Sequence, residues 1–352
     1  MTSSTAYAIL APVTAAGLLV TGLAVTDSLP GPVDAVEQAV HMAAPGQGDT
    51  STQAVSVDEG VEHRTAASDP AREREVLDYW TPERMADATP IAGLVGEAVE
   101  GADGLLAPDD DIEPQTDPGA DSTGDPWTGG GLVTRTTGKV FLTMDGRDFT
   151  CSASVVDSQN ASTLVTAGHC AKDGTGSWAE NWTFVPAYSD GDAPHGRYTA
   201  RDLLVSPQWS EQADDSYDVA MAVVNTEGGE TVQDRVGAQD ISFSTWSQGQ
   251  SQAGVQVHAF GYPAASPFDG RELHYCAGTT TPDTGGTTAS GMACDMTQGS
   301  SGGPWLTDFD PATGEGTVSS VISFKYADDL STQYGPRLGT EAQQLFDNAQ
   351  QL

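Results

Sequence analysis

The stretch CDMTQGSSGGPW (294–305) places Ser300 and Ser301 between Gly299 and the pair Gly302–Gly303. A serine hydroxyl is a weak nucleophile until a base takes its proton, and that base needs an acid on its second nitrogen. The search is therefore for one histidine and one aspartate that a fold can hold rigidly. Of the six histidines, His41 and His63 fall in an acidic, aromatic-poor stretch and His195 in a turn cluster. His258 alternates with apolar residues as a sheet histidine would. His169 closes the apolar run LVTAGHC one residue before Cys170, where a disulfide would hold its ring still. Asp218 opens the run DVAMAVV and is either an edge residue or a buried orienting acid. Asp214 and Asp215 sit earlier in a polar loop and read as solvated. The glycines around Ser301 let the backbone aim the N–H groups of Gly299 and Ser301 at an oxyanion. GSSGG also satisfies G-x-S-x-G, but that motif belongs to a chain order of Ser, Asp, His, and no histidine follows Ser301. The order here is His169, Asp218, Ser301.

The chain of 352 residues carries 50 acidic against 14 basic side chains, a net charge of −36. Such a chain is repelled by nucleic acid and by anionic membranes, so neither is an expected partner. Residues 1–125 hold 23 of the acids and only 4 bases, with no cysteine. That composition reads as a poorly ordered region. Ala6–Val25 is an uncharged apolar run without a basic segment before it, and fits a cleaved export signal or a single membrane anchor. The four cysteines, Cys151, Cys170, Cys276 and Cys294, lack C-x-x-C spacing, which argues against a zinc site. An even count behind an export signal implies two disulfides. Three pairings are possible, and the neighbours in sequence, Cys151–Cys170 and Cys276–Cys294, are the expected ones.

Within the acidic region DPAREREVLDYW predicts a helix, with Asp69 as cap, Pro70 at the first position and Val76, Leu77 and Trp80 as its apolar patch. Pro82 opens a second turn, and the Pro-, Gly- and Asp-rich stretch 107–131 reads as a linker. After Gly131 short β-rich runs alternate with turn clusters, the pattern of an all-β sandwich or barrel. TEAQQLFDNAQQL predicts a C-terminal helix with Thr340 as its cap.

TAGHC, YDVA and GSSGGP resemble the three signature segments of trypsin-like (chymotrypsin-fold) serine peptidases. FTCSASVV, FVPAY, FGYP and CDMTQGSSGGPW are similar to secreted bacterial members of the glutamyl-endopeptidase-like branch. The resemblance covers about residues 130–352, and YWTPERM is similar to the pro-regions ahead of such domains. Separations of 49 and 83 residues between the three candidates fit that family. The resemblance implies an all-β fold of two antiparallel six-stranded β-barrels with a C-terminal helix, preceded by a poorly ordered acidic pro-region. It implies a signal or anchor at 1–27, an acidic propeptide and linker at 28–126, and a peptidase domain at 127–352. In that family Ser301 would attack a peptide carbonyl, His169 would shuttle the proton, Asp218 would hold the imidazole, and Gly299 and Ser301 would supply the oxyanion donors. No metal or cofactor is required. The expected partners are a protein or peptide substrate and the chain's own propeptide, in a secreted monomer.

Two departures stand out. Digestive members carry an aspartate before the nucleophile that pairs with a freed N-terminus; here that residue is Ser300. Asp295 stands where trypsin-like members bind Arg or Lys, or else is a loop aspartate bonded to backbone. VISFKY (321–326) resembles the strand that lines the primary pocket, with Ser323 and Lys325 as candidate substrate contacts. Glutamate-specific relatives place a histidine before that serine, whereas this chain has Ile322. A catalytically inactive binding module of the same fold is the alternative of another class, and would ordinarily lack one of the residues named above.

Overall fold

The structure is a computed structural model that describes residues 60–91, 94–95, 121–244, 246, 250 and 253–352. The apolar run Ala6–Val25 and most of the linker lie outside the described residues. Among the described residues no helix is long and apolar enough to cross a membrane. In chain order the first elements are β1 (Glu62–Thr65), α1 (Pro70–Tyr79), α2 (Pro82–Asp87), β2 (Thr89–Pro90), β3 (Leu94–Val95) and β4 (Ser122–Pro126). Next come α3 (Gly131–Thr136), β5 (Thr137–Met144), β6 (Arg147–Val155), β7 (Thr163–Thr166), β8 (Glu180–Pro186), β9 (Tyr198–Val205), α4 (Pro207–Gln212), β10 (Ala220–Val224) and α5 (Val232–Val236). The remainder is β11 (Asp240–Ile241), β12 (Gln256–Gly261), β13 (His274–Thr279), β14 (Thr281–Pro282), β15 (Ser290–Ala293), β16 (Pro304–Asp310), β17 (Glu315–Val321), β18 (Phe324–Tyr326), β19 (Asp329–Gly335) and α6 (Thr340–Ala349).

Strands β9, β10, β7, β6, β5 and β8 pair in that order, and β8 pairs back to β9, so six strands close into a barrel. Its interior is filled by residues such as Val140, Leu142, Leu164, Phe184, Leu203 and Ala222. Alternation along β5 would ordinarily expose every second side chain, yet all eight of its residues are buried. Part of the outward face is covered by the N-terminal segment, and Lys139 on the same face donates to the Gly270 carbonyl of the second half at 2.8 Å. Trp80 sits against Phe141 with ring centroids 5.6 Å apart, and its indole N–H donates to the Asn181 carbonyl at 2.6 Å.

Part of the acidic region is thus built into the fold. α1 begins where Asp69 accepts the N–H groups of Ala71 and Arg72, with Pro70 at its first position, and α2 begins at Pro82. Val76 and Trp80 are buried and Leu77 is half-buried. β1 adds antiparallel to β9, and its His63 Nε2 lies 2.8 Å from Asp202 Oδ1. All four arginines of the first 125 residues lie in this segment. Arg64 reaches Glu180 and Arg84 reaches Asp148 on the barrel.

The second half forms two sheets. One runs β11-β17-β16-β12-β13-β4 and the other β14-β15-β19-β18-β3. The Cys276–Cys294 disulfide joins β13 of the first to the residue after β15 of the second. Strand β4 comes from the end of the stretch read as linker, pairs with β13, and leads into Trp127. That indole packs edge-on against Phe260, Tyr275 and Phe309 at 5.2–5.5 Å, and its N–H donates to the Gly130 carbonyl. α6 buries Ala342, Leu345, Phe346 and Ala349 and packs on β10 and β9. Its cap is Gly339 rather than Thr340, which is the first helical residue.

Trp127→Ala removes the hub of this aromatic group. We expect a loss of about 3–5 kcal/mol, the usual range for truncating a buried aromatic, read as a lowered urea midpoint with both disulfides intact.

Candidate active site

The end of β7 and the turn after it build the first wall. Ala167 caps a single helical turn, Gly168–Cys170, which swings His169 out of the strand direction. The Cys151–Cys170 disulfide ties this turn to β6, with Cα atoms 6.2 Å apart. A bridge closing a loop of this size contributes about 3 kcal/mol. Gly168 is required by close approach, because a Cβ there would sit 2.8 Å from Asp218 Oδ1 and 3.0 Å from the Trp209 indole.

Asp218 is 1% exposed at the mouth of β10, so of the two readings open from sequence the buried one holds. Its carboxylate is fully engaged. Oδ1 accepts the His169 backbone N–H at 2.7 Å, and Oδ2 accepts His169 Nδ1–H at 2.8 Å and the Ser323 hydroxyl at 2.5 Å. Burial raises the cost of its charge, but the His169 ring and these donors outweigh it and hold its pKa below the ordinary carboxylate value. For His169 burial likewise opposes the charged ring. The Asp218 charge and hydrogen bond overcome that, with smaller help from Asp215 and Asp173, so its pKa is raised. Asp215 is not the solvated loop acid expected: it is half-buried, and burial followed by the nearby Asp218 charge pushes it up to about 6.

Ser301 is 4% exposed and sits on the facing loop. Its carbonyl accepts the Ser152 N–H at 2.7 Å, while the Ser152 hydroxyl donates to the Gly299 carbonyl at 2.9 Å. Two bonds to β6 therefore fix the Ser301 loop beside the histidine turn. His169 Nε2 is buried and has no hydrogen-bond partner, so the structure does not close a bond from it to Ser301 Oγ. Gly299 lies at φ +96°, where a Cβ would stand 2.8 Å from the Tyr262 carbonyl. Among the described residues neither the Gly299 nor the Ser301 N–H donates to a protein acceptor. Both remain available to an oxyanion. Ser300 is turned away, its hydroxyl donating to the Thr297 carbonyl at 2.7 Å.

The remaining candidates separate. Ser323 lies on the segment before β18 and joins the Asp218 network, a second role that its sequence context did not signal. Lys325 is buried, and its ammonium donates to the Cys294 and Leu330 carbonyls. Burial lowers its pKa to about 8, against the opposing charges of Asp295 and Asp329. Asp295 is exposed, and its N–H donates to the Thr123 carbonyl of β4 at 2.6 Å. Among the described residues the one close group of potential metal ligands is Cys151, His169 and Cys170. Its two sulfurs are spent on each other, so it offers no ligand set.

The sequence model of the trypsin family, described as Trypsin, matches residues 128–343. A protease from Arthrobacter nicotinovorans, Anisep, is 40% identical, with 62% of this chain and 96% of that one covered at a TM-score of 0.58. The thermostable serine protease AL20 from an extremophilic microorganism is 42% identical, with 62% and 99% covered at 0.58. A Glu endopeptidase solved with MPD is 17% identical, with 66% and 99% covered at 0.52, and shares the fold. The extracellular metalloprotease of Bacillus subtilis (strain 168) is 33% identical over 73 residues, 21% of this chain, so the chain spans 23% of that curated relative's length. The match along residues 128–343 and the two relatives at 40% and 42% identity show that this chain belongs to the trypsin family of serine proteases.

Proposed function

We propose that the chain is the precursor of an exported serine endopeptidase whose catalytic residues are His169, Asp218 and Ser301. The observation that carries this reading is the buried Asp218 carboxylate bonded to His169 Nδ1 at 2.8 Å, with Nε2 left free beside the Ser301 loop. Asp218 fixes the tautomer in which Nδ1 carries the proton, so Nε2 can accept one from Ser301 Oγ. The alkoxide attacks the peptide carbonyl, and the Gly299 and Ser301 N–H groups receive the oxyanion. Each such donor is worth on the order of 3 kcal/mol in the transition state. His169 then protonates the leaving amine, and water repeats the sequence on the acyl-enzyme.

The primary pocket in this reading is walled by residues 295–298 and 323–326. Lys325 bridges the two walls through the Cys294 carbonyl, with Asp295 at the rim. The mature domain is proposed as 127–352, residues 28–126 as propeptide and linker, and 1–27 as the export signal or an anchor. Strand β4 lies just before that boundary and pairs with β13. A cut in the linker ahead of β4 would leave Ser122–Pro126 on the domain, while a cut at 126/127 would leave β4 held to β13 by its pairing alone.

A fluorophosphonate probe should label Ser301 of the processed protein, with labelling abolished in Ser301→Ala and His169→Ala. Absence of label on folded, processed protein would instead leave the binding-module reading. Asp218→Asn should lower kcat about 10⁴-fold, because the wrong tautomer is then held.

The sign of the pH dependence follows from the raised His169 pKa. The base works only when neutral, so kcat/KM rises with pH on a limb above the ordinary histidine value of about 6.5. Asp215→Asn removes a charge that favours the protonated ring, and should move that limb to lower pH without lowering the plateau. A limb that stays in place would exclude Asp215 from tuning the base.

A further inference from the structure

The N-terminal segment does more than cover the outside of the first barrel. At its end β2 pairs in parallel with β6, Thr89 opposite Phe149 and Pro90 opposite Thr150. The Ile91 N–H then donates to the Thr150 carbonyl at 3.1 Å. Shortly afterwards β3 pairs in parallel with β18, Leu94 opposite Lys325 and Val95 opposite Tyr326. These two edges are the walls of the candidate site. Thr150 precedes Cys151, which is bonded to Cys170 beside His169, and Ser152 holds the Ser301 loop. On the other side β18 follows Ser323, whose hydroxyl donates to Asp218. Ile91 and Leu94 are three residues apart, so their Cα atoms are separated by at most about 11 Å. The chain therefore meets both walls within a few residues of one another.

Direction distinguishes this chain from a substrate. The acyl half of a substrate lies N-terminal to the bond attacked, and the proposed primary pocket places that half along β18. The leaving half then runs along β6. The pro-segment meets β6 first and β18 second, so it runs the opposite way. A reversed peptide exchanges the positions of carbonyl and N–H groups against a fixed ladder. The donors at Gly299 and Ser301 then do not meet a carbonyl set for attack.

We propose that β2 and β3 form an intramolecular strap that inhibits the peptidase by pairing with both walls of the cleft in the reverse of substrate direction. The strap is anchored at Asp148, two residues before Thr150. The Tyr79 hydroxyl donates to its Oδ1 at 2.7 Å, Arg84 donates to its Oδ2 at 2.7 Å, and the Thr89 hydroxyl donates to its carbonyl at 3.3 Å. The Arg84 guanidinium also stacks over the Tyr79 ring at 4.1 Å. These contacts set the register in which Thr89 enters the ladder.

The proposal rests on Ser301 being the nucleophile, and the test separates the two. Intact full-length precursor is treated with a fluorophosphonate, and the labelling rate is compared among wild type, Ile91→Pro and Asp148→Ala. Ile91→Pro deletes the N–H that bonds Thr150 at a half-buried position, and Asp148→Ala removes the anchor from a site outside the cleft. Both uncut variants should label at least tenfold faster than uncut wild type, and approach the rate of protein cleaved in the linker and freed of the N-terminal segment by dilution. Wild-type precursor labelling as fast as cleaved protein overturns the strap while leaving the nucleophile in place. So does a slow precursor that neither substitution accelerates. No label in any form, cleaved or not, overturns the nucleophile reading and the strap with it.

Discussion

One buried negative charge organises the molecule. A carboxylate removed from water is tolerated only where donors replace its hydration, and those of Asp218 come from both sides of the cleft. Two are the backbone and ring of His169 on the turn after β7; the third is the Ser323 hydroxyl ahead of β18. Loss of registry between the two halves would strand the charge. The same three bonds set the tautomer of His169 and its approach to the Ser301 loop. The disulfides brace each side of this arrangement, one holding the histidine turn to β6 and the other joining the two sheets of the second half.

Much of the fold was legible because its determinants are local. LVTAGHC carries His169 near its end and DVAMAVV opens on Asp218, and such apolar runs become buried strands with a polar side chain at the mouth. Asp69 and Pro70 mark a helix start wherever they occur together before a helical pattern, and α1 begins there. The pairing of neighbouring cysteines followed from proximity in the chain. What was not legible depends on contacts between distant residues. Asp215 looks like any loop acid until the fold packs it beside Asp218 and His169. The role of Ser323 as a third donor requires the second half to be folded against the first. β4 reads as linker because a strand with Pro, Gly and Asp has no propensity signal, and it pairs only because β13 offers an edge.

The acidic N-terminal region illustrates the same point at larger scale. Its composition argues against a core of its own, and residues 60–91 have none. They use the barrel's surface instead, inserting Trp80 against Phe141 and placing Arg64 and Arg84 against acidic side chains of the partner surface. Individually such exposed ion pairs contribute little. In a chain of net charge −36 they also relieve like-charge repulsion between the segment and the barrel.

The position of β4 has a kinetic consequence. The docked segment and the second sheet are joined through a linker, so if the strap inhibits as proposed, an uncut chain presents it to its own cleft at the millimolar effective concentration of a short tether. A cut ahead of β4 leaves every element of the catalytic half in place and changes only that concentration. The freed segment becomes an ordinary bimolecular inhibitor, held by its own affinity at β9, Trp80 and Asp148. Inhibition then fades with dilution rather than at the instant of cleavage. A precursor cut while concentrated in one compartment would then switch on only when it is released into a large volume.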